Sequence, residues 1–128
     1  FGNPEALAKL NRLLHPRVIA TVDRILQTLA ERGKELVIIE AALFYEVGWD
    51  KAMDRMVVVT APLEKRIAWL QKRDGLTREQ IEARLSHQMP VEEKAARAHF
   101  VIRNDGSLDD LRDKVENLKQ KLILQSKS

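Results

Sequence analysis

The sequence predicts a helix-rich α/β fold built around a parallel sheet. Three short apolar runs, rich in β-branched residues, are predicted as strands: Leu36-Val37-Ile38-Ile39, Met56-Val57-Val58-Val59 and His99-Phe100-Val101-Ile102. Amphipathic helical segments separate these runs, and this alternation is typical of strand–helix–strand units. The 128 residues are 45% hydrophobic and 32% charged, which fits one ordinary domain and argues against intrinsic disorder.

The segment before the first run predicts two helices. Pro4 opens a short helix, and His15-Pro16 is predicted to break it, because proline suits a first helical turn better than a helix interior. Gly33 is predicted to cap the second helix. The apolar positions recur every three or four residues: Leu7, Leu10, Leu13 and Leu14 in the first helix, then Val18, Val22, Ile25, Leu26 and Leu29 in the second.

Two helices joined by a short turn are predicted between the second and third strands. The first follows Thr60-Ala61-Pro62 and ends at Asp74-Gly75. The second begins at Thr77, which forms a capping-box pattern with Gln80. Their inward-facing positions are Leu63, Ile67 and Leu70 in the first helix and Ile81, Leu85 and Met89 in the second.

The last part of the chain predicts a short helix, a strand and a long helix. Pro90 opens the short helix, which runs through Arg97. After the third strand, Asn104-Asp105-Gly106 is predicted to be a turn, and Ser107 caps the final helix. We expect the apolar stripe of that helix to pack on the sheet: Leu111, Val115, Leu118 and Leu122.

Composition excludes several classes of function. The absence of cysteine excludes a disulfide scaffold, a cysteine-ligated metal site and a thiol nucleophile. A net charge of +3, with acidic residues interleaved among the basic ones and no aromatic series beside them, argues against a nucleic-acid partner. No apolar run approaches the roughly 20 residues of a spanning helix, so no membrane partner is expected.

Basic side chains are concentrated on the two helices that follow the second strand. Such a helix pair can fold over a ligand as a lid, and its arginines can clamp phosphate oxygens in phosphoryl transfer. The alternative is that these are solvated helix faces paired with Glu64, Glu79 and Glu82. The basic residues are Lys65, Arg66, Lys72, Arg73, Arg78 and Arg84.

An ordered series of motifs resembles the bacterial dephospho-CoA kinase family. At the start of the chain the series is Phe1-Gly2-Asn3-Pro4-Glu5, Leu10-Asn11 and Leu14-His15-Pro16. It continues with Val57-Val58-Val59, Ala61-Pro62, Arg73-Asp74-Gly75, Arg84-Leu85, Gln88, Glu93-Lys94 and Val101-Ile102-Arg103-Asn104-Asp105-Gly106. The resemblance extends from Phe1 to about Leu122 and depends on order and spacing rather than on any single motif.

The resemblance implies a P-loop-kinase-like, three-layer α/β/α fold with a parallel sheet. It implies an ATP-dependent kinase, assisted by Mg²⁺, that phosphorylates the ribose 3′-hydroxyl of dephospho-CoA in the last step of coenzyme A synthesis, in the cytoplasm. The chain would form one truncated domain. Its parts would be a helical substrate-binding region (1–35), core strands and a loop (36–61), lid-like helices (62–97) and a last strand with the C-terminal helix (98–128).

The glycine-rich phosphate-binding loop of that family is missing from this sequence. No G-x-x-x-x-G-K-S/T pattern can be built from Gly2, Gly33, Gly48, Gly75 and Gly106. We therefore expect the chain to be the C-terminal two-thirds of such a kinase, inactive alone and without a tightly bound cofactor. The P-loop and the catalytic aspartate are expected upstream of Phe1, which leaves no catalytic residue in this chain.

Two further departures lie inside the matched series. Ala42 stands where the family usually has the proline of Pro-Leu-Leu-x-Glu, here Ala42-Leu43-Phe44-Tyr45-Glu46. Trp69 stands where the family has a lid arginine, and an indole cannot donate to phosphate as a guanidinium does. Arg66, almost one turn away, is the nearby candidate to replace it.

The resemblance assigns the remaining site residues. Arg73 would be the lid contact to phosphate, with a partnership with Asp74 as the alternative. Asn104 would lie near the adenine of ATP, or be a turn residue only. The dephospho-CoA side would be lined by His15, alternatively a helix-entry residue, and by Leu43, Phe44, Tyr45 and Glu46. Arg84 and Gln88 would support the lid and the substrate pocket.

The other titratable candidates carry less chemistry. His87 and His99 have no partners at metal-ligand spacing and are predicted to be structural or surface groups, and no metal site is predicted. Glu40, at the end of the first predicted strand, is a candidate for the crevice where α/β sheets bind ligands.

By resemblance, the missing P-loop strand would lie between the first two predicted strands. Its loss would leave apolar strand edges, which invite pairing with another chain and predict a homo-oligomer as one outcome. The alternative function is therefore a non-catalytic ligand-binding or assembly module derived from such a kinase.

Overall fold

Residues 4–126 are described by a computed structural model, and helices predominate among them. The order of elements is α1 (Pro4–Glu31), a 3₁₀ helix (Trp49–Ala52), β1 (Val57–Thr60), α2 (Leu63–Asp74), α3 (Arg78–Ser86), α4 (Val91–Arg97), β2 (Phe100–Arg103) and α5 (Leu108–Ser126). Two compact units are present, one within residues 4–40 and one within residues 41–126. Phe1, Gly2 and Asn3 of the motif series lie outside the described residues.

The first unit is a single long helix followed by an extended tail. The predicted break at His15-Pro16 is wrong, because α1 continues through Pro16 for 28 residues. Proline has no backbone N–H, so the hydrogen bond that residue 16 would donate to the Arg12 carbonyl is missing. Good helix formers on both sides maintain the helix. The predicted cap at Gly33 is confirmed: Gly33 has a φ of +74° and donates to Ala30 O, while Lys34 donates to Leu29 O.

The first predicted strand is also wrong. Residues 36–41 form neither helix nor strand, and Ile38 is 80% exposed. Within residues 4–126 no strand pairs with this run. Its β-branched composition is insufficient, because strand propensity is expressed only when a neighbour completes the ladder. Glu40 is consequently exposed and does not end a strand.

The second unit contains the two-stranded parallel sheet. Val57 of β1 lies opposite Phe100 of β2, and Thr60 lies opposite Arg103. The other two predicted strands are thereby confirmed, each displaced by one residue. α4 packs against β1 and α5 against β2, so a parallel sheet flanked by helices confirms the α/β class.

The core of the second unit contains side chains from the strands, from α2 and α3, and from the loop that precedes β1. Ile81 is fully buried and Ile67 is almost so. These positions agree with the apolar stripes predicted for α2 and α3. The other buried apolar side chains are Phe44, Tyr45, Met56, Val58 and Ile102.

The predicted helix ends of the second unit are confirmed. α2 ends at Gly75, whose φ of +66° allows its N–H to donate to Gln71 O. Thr77 Oγ1 accepts from the Gln80 N–H, and Gln80 Oε1 accepts from the Thr77 N–H. Ser107 Oγ accepts from the Asp110 N–H at the start of α5. No helix within residues 4–126 is long and apolar enough to cross a membrane.

Candidate functional site

A cavity of about 780 Å³ lies beside β1 in the second unit. We call it the β1 cavity. Its walls are Val57, Val58 and Val59 of β1, residues of α2, α3 and α4, the link from α3 to α4, and the loop that precedes β1. The polar lining residues are Arg66, Glu82, Ser86, Gln88, Glu92 and Lys94. An apolar wall with a few convergent polar groups is the usual make-up of a ligand site.

Arg66 is the cationic side chain that α2 contributes to this cavity. Its Nε is buried and has no hydrogen-bond partner among the described residues. A buried N–H without an acceptor costs free energy, so this nitrogen favours an acceptor such as a phosphate oxygen. Trp69, at the position predicted to lack the family's arginine, is 47% exposed and does not line the cavity.

Arg73 does not line the β1 cavity. Its side chain is 73% exposed, and its guanidinium donates to both carboxylate oxygens of Asp74, at 2.8 and 2.9 Å. These hydrogen bonds lower the pKa of Asp74, and the charge of the exposed Arg84 on α3 lowers it further. Arg84 does not line the cavity either. The structure therefore contains the Asp74 partnership that was the alternative prediction for Arg73.

Arg78 joins α3 to α2. From the first turn of α3 its guanidinium donates to both carboxylate oxygens of Glu64 on α2, at 2.9 and 3.0 Å. Its Nε donates to Glu82, one turn further along α3, at 2.9 Å. The hydrogen bonds from Arg78 lower the pKa of Glu64. For this arginine, the structure matches the prediction of a solvated helix face with acidic partners.

The loop before β1 is a sequence of tight turns. The N–H groups of Val47 and Trp49 donate to the carbonyls of Leu43 and Phe44, at 3.1 and 2.9 Å. The ring of Phe44 meets that of Trp49 edge-on, with centroids 6.3 Å apart. Phe44 and Tyr45 are buried and line the β1 cavity, whereas Leu43 is 40% exposed and does not.

Glu46 fastens this loop to the start of α4. Its Oε2 accepts from Lys94 Nζ at 2.9 Å and from the Met89 N–H at 3.0 Å. Lys94 Nζ also donates to Ala42 O at 2.9 Å. Burial raises the pKa of Glu46, but the hydrogen bonds from Lys94 and Met89 and the charge of Lys94 together lower it below its usual value. Gln88, just before Met89, lines the cavity.

α4 makes a second contact with the same loop, and neither contact was predicted from the sequence. The Arg97 guanidinium lies 4.7 Å from the centre of the Tyr45 ring and 3.5 Å from Asp50 Oδ2. Burial and the Asp50 carboxylate raise the pKa of Tyr45, and Arg97 opposes them. Two acids four residues apart, Glu46 and Asp50, and two bases three residues apart on α4 are the sequence signal for this pairing.

Three oxygen atoms of this loop are buried without a hydrogen-bond partner among the described residues. They are the Tyr45 hydroxyl, Glu46 Oε1 and Asp50 Oδ1. Buried polar atoms are normally satisfied by protein or by ordered water. The loop therefore retains hydrogen-bonding capacity for water or for polar groups of a ligand.

Asn104 follows β2 at the carboxyl ends of the strands. Its N–H donates to Thr60 O at 2.7 Å, and its side chain is half-buried. The turn is anchored by Lys65 Nζ, which donates to Asp105 O, and by Lys114 Nζ, which donates to Arg103 O. A second cavity of about 490 Å³ is lined by Thr60, Arg103 and Asp105, among others, but not by Asn104.

Neither histidine of the second unit lines the β1 cavity. His15 is half-buried within α1 of the first unit, and His87 is an exposed residue at the end of α3. His99 has a structural contact, because its Nδ1 accepts from the Met56 N–H at 2.9 Å. Within residues 4–126 no three histidine or acidic side chains form a group that fits a metal ion.

Comparison with known proteins gives a consistent family. The family model described as dephospho-CoA kinase matches residues 1–110. The dephospho-CoA kinase of Chlorobaculum tepidum is 42% identical over 123 residues, which cover 96% of this chain and 59% of that protein. The dephospho-CoA kinase of Salinibacter ruber is 39% identical over 92% of this chain and 59% of its own length.

Solved structures give the same relationship. The crystal structure of TT1252 from Thermus thermophilus matches with a TM-score of 0.82 and 38% identity, over 95% of this chain and 62% of that one. The dephospho-CoA kinase from Campylobacter jejuni matches with a TM-score of 0.64 and 31% identity, over 95% and 60%. The chain thus spans about 59% of the length of the first two relatives above.

Proposed function

The chain belongs to the dephospho-CoA kinase family, and we propose that it is the substrate-binding and lid part of such a kinase. The complete enzyme would transfer a phosphoryl group from ATP to the ribose 3′-hydroxyl of dephospho-CoA. The observation that carries this proposal is the family match over residues 1–110. The length of the relatives and the missing glycine-rich motif support the view that the P-loop and the catalytic aspartate are supplied by further sequence.

In this proposal Arg66 is the phosphate contact of the lid. Its buried, unpartnered Nε beside the β1 cavity supports the role, because a guanidinium stabilises the charge spread over phosphoryl oxygens. Arg73 is the second lid contact, and to reach phosphate its guanidinium must exchange Asp74 for the ligand. Trp69 contributes no donor to phosphate from its exposed position on α2.

By the family resemblance, the dephospho-CoA side is proposed to be lined by His15, Leu43, Phe44, Tyr45 and Glu46. Arg84 and Gln88 are proposed to support the lid and the substrate pocket. The cavity lining by Phe44, Tyr45 and Gln88 supports this assignment. Asn104 is proposed to lie near the adenine of ATP, at the carboxyl ends of the strands, where α/β sheets bind ligands. The division of one domain into parts 1–35, 36–61, 62–97 and 98–128 stays a prediction.

ATP and Mg²⁺ are the proposed co-substrate and metal of the complete enzyme, and the cytoplasm is its proposed location. Within residues 4–126 the acidic side chains do not fit a Mg²⁺ site, so no step is assigned to the metal here. In this proposal the chain supplies the positive charge of Arg66 at the lid. It also supplies an apolar cavity wall that excludes water from a bound substrate.

A second candidate is a non-catalytic binding or assembly module. It is favoured by the sheet, because within the described residues β1 pairs only with β2, so its other edge has no strand partner. Such an edge is a template for strand pairing with a second copy of the chain. This candidate predicts binding of dephospho-CoA without turnover, or a homo-oligomer.

The test uses the natural gene product that contains these 128 residues. Its intact mass and the sequence upstream of Phe1 are determined first, and phosphorylation of dephospho-CoA by ATP is then assayed. An active product with a glycine-rich P-loop supports the kinase proposal. An inactive product without a P-loop contradicts it, and calorimetric titration with dephospho-CoA together with sedimentation equilibrium then decides whether a module remains.

A further inference from the structure

We propose that Lys94 of α4 is a positioning residue that holds the 42–50 segment in the shape required to bind dephospho-CoA. The inference rests on the proposed function and deepens it. It names a side chain that acts through the loop rather than on the phosphoryl group.

The first observation is that Lys94 holds the loop at two points. Its ammonium donates to Ala42 O and to Glu46 Oε2, both at 2.9 Å. The side chains of Lys94 and Glu46 are only 12% and 17% exposed. Because these contacts are shielded from water, they constrain the loop more than a surface ion pair would.

The second observation concerns the residues between those two points. Phe44 and Tyr45 lie between Ala42 and Glu46, and both are buried and line the β1 cavity. Any movement of the loop at its anchors therefore moves two aromatic walls of the cavity. The position of Lys94 therefore influences the shape of the β1 cavity.

The third observation is that Glu46 also joins the loop to the link before α4. Its Oε2 accepts from the Met89 N–H at 3.0 Å, so one carboxylate oxygen binds both the ammonium and a backbone amide. Loss of Lys94 leaves this carboxylate with the amide alone, in a site that disfavours an uncompensated charge. The carboxylate is then expected to turn toward solvent and to carry the loop with it.

The fourth observation is that α4 repeats the arrangement one turn later. Arg97 contacts Asp50 Oδ2 and the face of the Tyr45 ring. Lys94 and Arg97 together span the 42–50 segment, and the helix that carries them packs on β1. The loop is thus positioned from the sheet through α4.

The experiment combines steady-state kinetics with hydrogen exchange in the natural gene product. For Lys94→Gln we expect the KM for dephospho-CoA to rise about tenfold, while kcat and the KM for ATP change less than about threefold. Lys94→Arg keeps the charge and donors, and is expected to restore most of the affinity. Lys121→Gln, at an exposed position of α5, is the matched control.

Hydrogen exchange tests the loop directly. The amides of Val47, Gly48 and Trp49 donate to carbonyls within the loop, and we expect their exchange to accelerate about tenfold in Lys94→Gln. Peptides from α3 should exchange as in the parent protein.

The two failures are distinguishable. A parent protein without kinase activity overturns the proposed function, and the positioning role is then decided by the loop amides alone. An active enzyme in which Lys94→Gln leaves the KM for dephospho-CoA unchanged, or raises both KM values equally, overturns the inference. Unchanged exchange of the loop amides overturns it as well.

Discussion

His99 and Met56 exchange two hydrogen bonds at the amino-terminal end of the parallel sheet. The Met56 N–H donates to His99 Nδ1 at 2.9 Å, and the His99 N–H donates to Met56 O at 3.0 Å. The imidazole thus takes the place of a backbone acceptor just before β1 and β2 begin. The acceptor in this contact is a side-chain nitrogen rather than a carbonyl of the neighbouring strand.

Replacement of His99 tests this contact. His99→Leu leaves the N–H of the buried Met56 without its acceptor, and we expect a loss of about 1–2 kcal/mol in the free energy of unfolding. His99→Asn offers an amide oxygen near the same position and should lose less than half as much. Urea denaturation of both variants measures the difference, and equal losses would show that the acceptor is unimportant.

Glu46 predicts a pH dependence of stability. Its pKa in the folded protein lies below the usual 4.5, because the hydrogen bonds from Lys94 and Met89 outweigh its burial. A group with a lowered folded pKa contributes stability above its unfolded pKa, and loses it as pH falls through the folded value. We therefore expect the free energy of unfolding to decline as the pH falls below about 4.5, with the Glu46 contribution part of that decline.

Other carboxylates with lowered pKa values, including Glu64 and Asp74, contribute slopes of the same sign, so the comparison must be with Glu46→Gln. This variant should lose about 2 kcal/mol at neutral pH and show a shallower acid slope. Asp109→Asn, at a carboxylate that is 91% exposed, is the control and should keep the parent slope. Parallel slopes for Glu46→Gln and the parent would contradict the assignment.

The capping box at Thr77 predicts a local stability effect at the start of α3. Thr77→Ala removes the oxygen that accepts from the Gln80 N–H at 3.2 Å, and should cost about 1 kcal/mol. Thr77→Ser keeps that oxygen and is expected to be nearly neutral. Thermal unfolding of the two variants is the measurement, and a serine variant as unstable as the alanine variant would show that the methyl group matters instead.

The bidentate contact of Arg78 with Glu64 predicts a change in the titration of a carboxylate. Because the hydrogen bonds from Arg78 are the first cause of the lowered Glu64 pKa, Arg78→Gln should raise that pKa toward 4.5. Side-chain carboxyl NMR of selectively labelled protein measures it. Arg112→Gln, which removes an exposed partner of Asp109, should leave the Glu64 pKa unchanged. If the Glu64 pKa is the same in Arg78→Gln as in the parent protein, the contact between the two helices is not formed in solution.

Local signals in the sequence predicted the second unit well. The apolar runs at β1 and β2, the glycine at the end of α2 and the cap at Thr77 each combine a residue preference with a defined backbone role, and all were confirmed. The run at residues 36–39 has an equally strong local preference but no ladder partner, and a strand cannot be inferred from one side of a ladder. The helix break predicted at Pro16 was wrong for a related reason, because the loss of one hydrogen bond is a local cost that a long helix tolerates.

The sequence and the resemblance named some of the residues that line the β1 cavity, but not the contacts that connect its walls. Phe44, Tyr45, Arg66 and Gln88 were named from the sequence, and all line the β1 cavity. The contacts of α4 with the loop were missed, because residues such as Glu46 and Lys94 are distant in sequence and their charges are ordinary on helix and loop surfaces. Only the tertiary structure shows that these charges are shielded.

The last prediction distinguishes whether Arg66 or Arg73 is the main phosphate contact of the proposed lid. Arg66 has a buried Nε without a partner beside the β1 cavity, whereas Arg73 is 73% exposed and already bound to Asp74. A guanidinium that needs no partner exchange is better prepared for phosphate. In the natural gene product we therefore expect Arg66→Gln to lower kcat/KM for ATP by about 100-fold and Arg73→Gln by about tenfold.

Arg66→Lys is the informative companion, because it keeps the charge but loses the planar, bidentate donor geometry. It should recover only part of the activity, and Arg112→Gln should change nothing. If Arg73→Gln is the more damaging change, phosphate is contacted from the end of α2. The Asp74 pair is then a resting state that opens on binding, and the buried nitrogen of Arg66 serves packing alone.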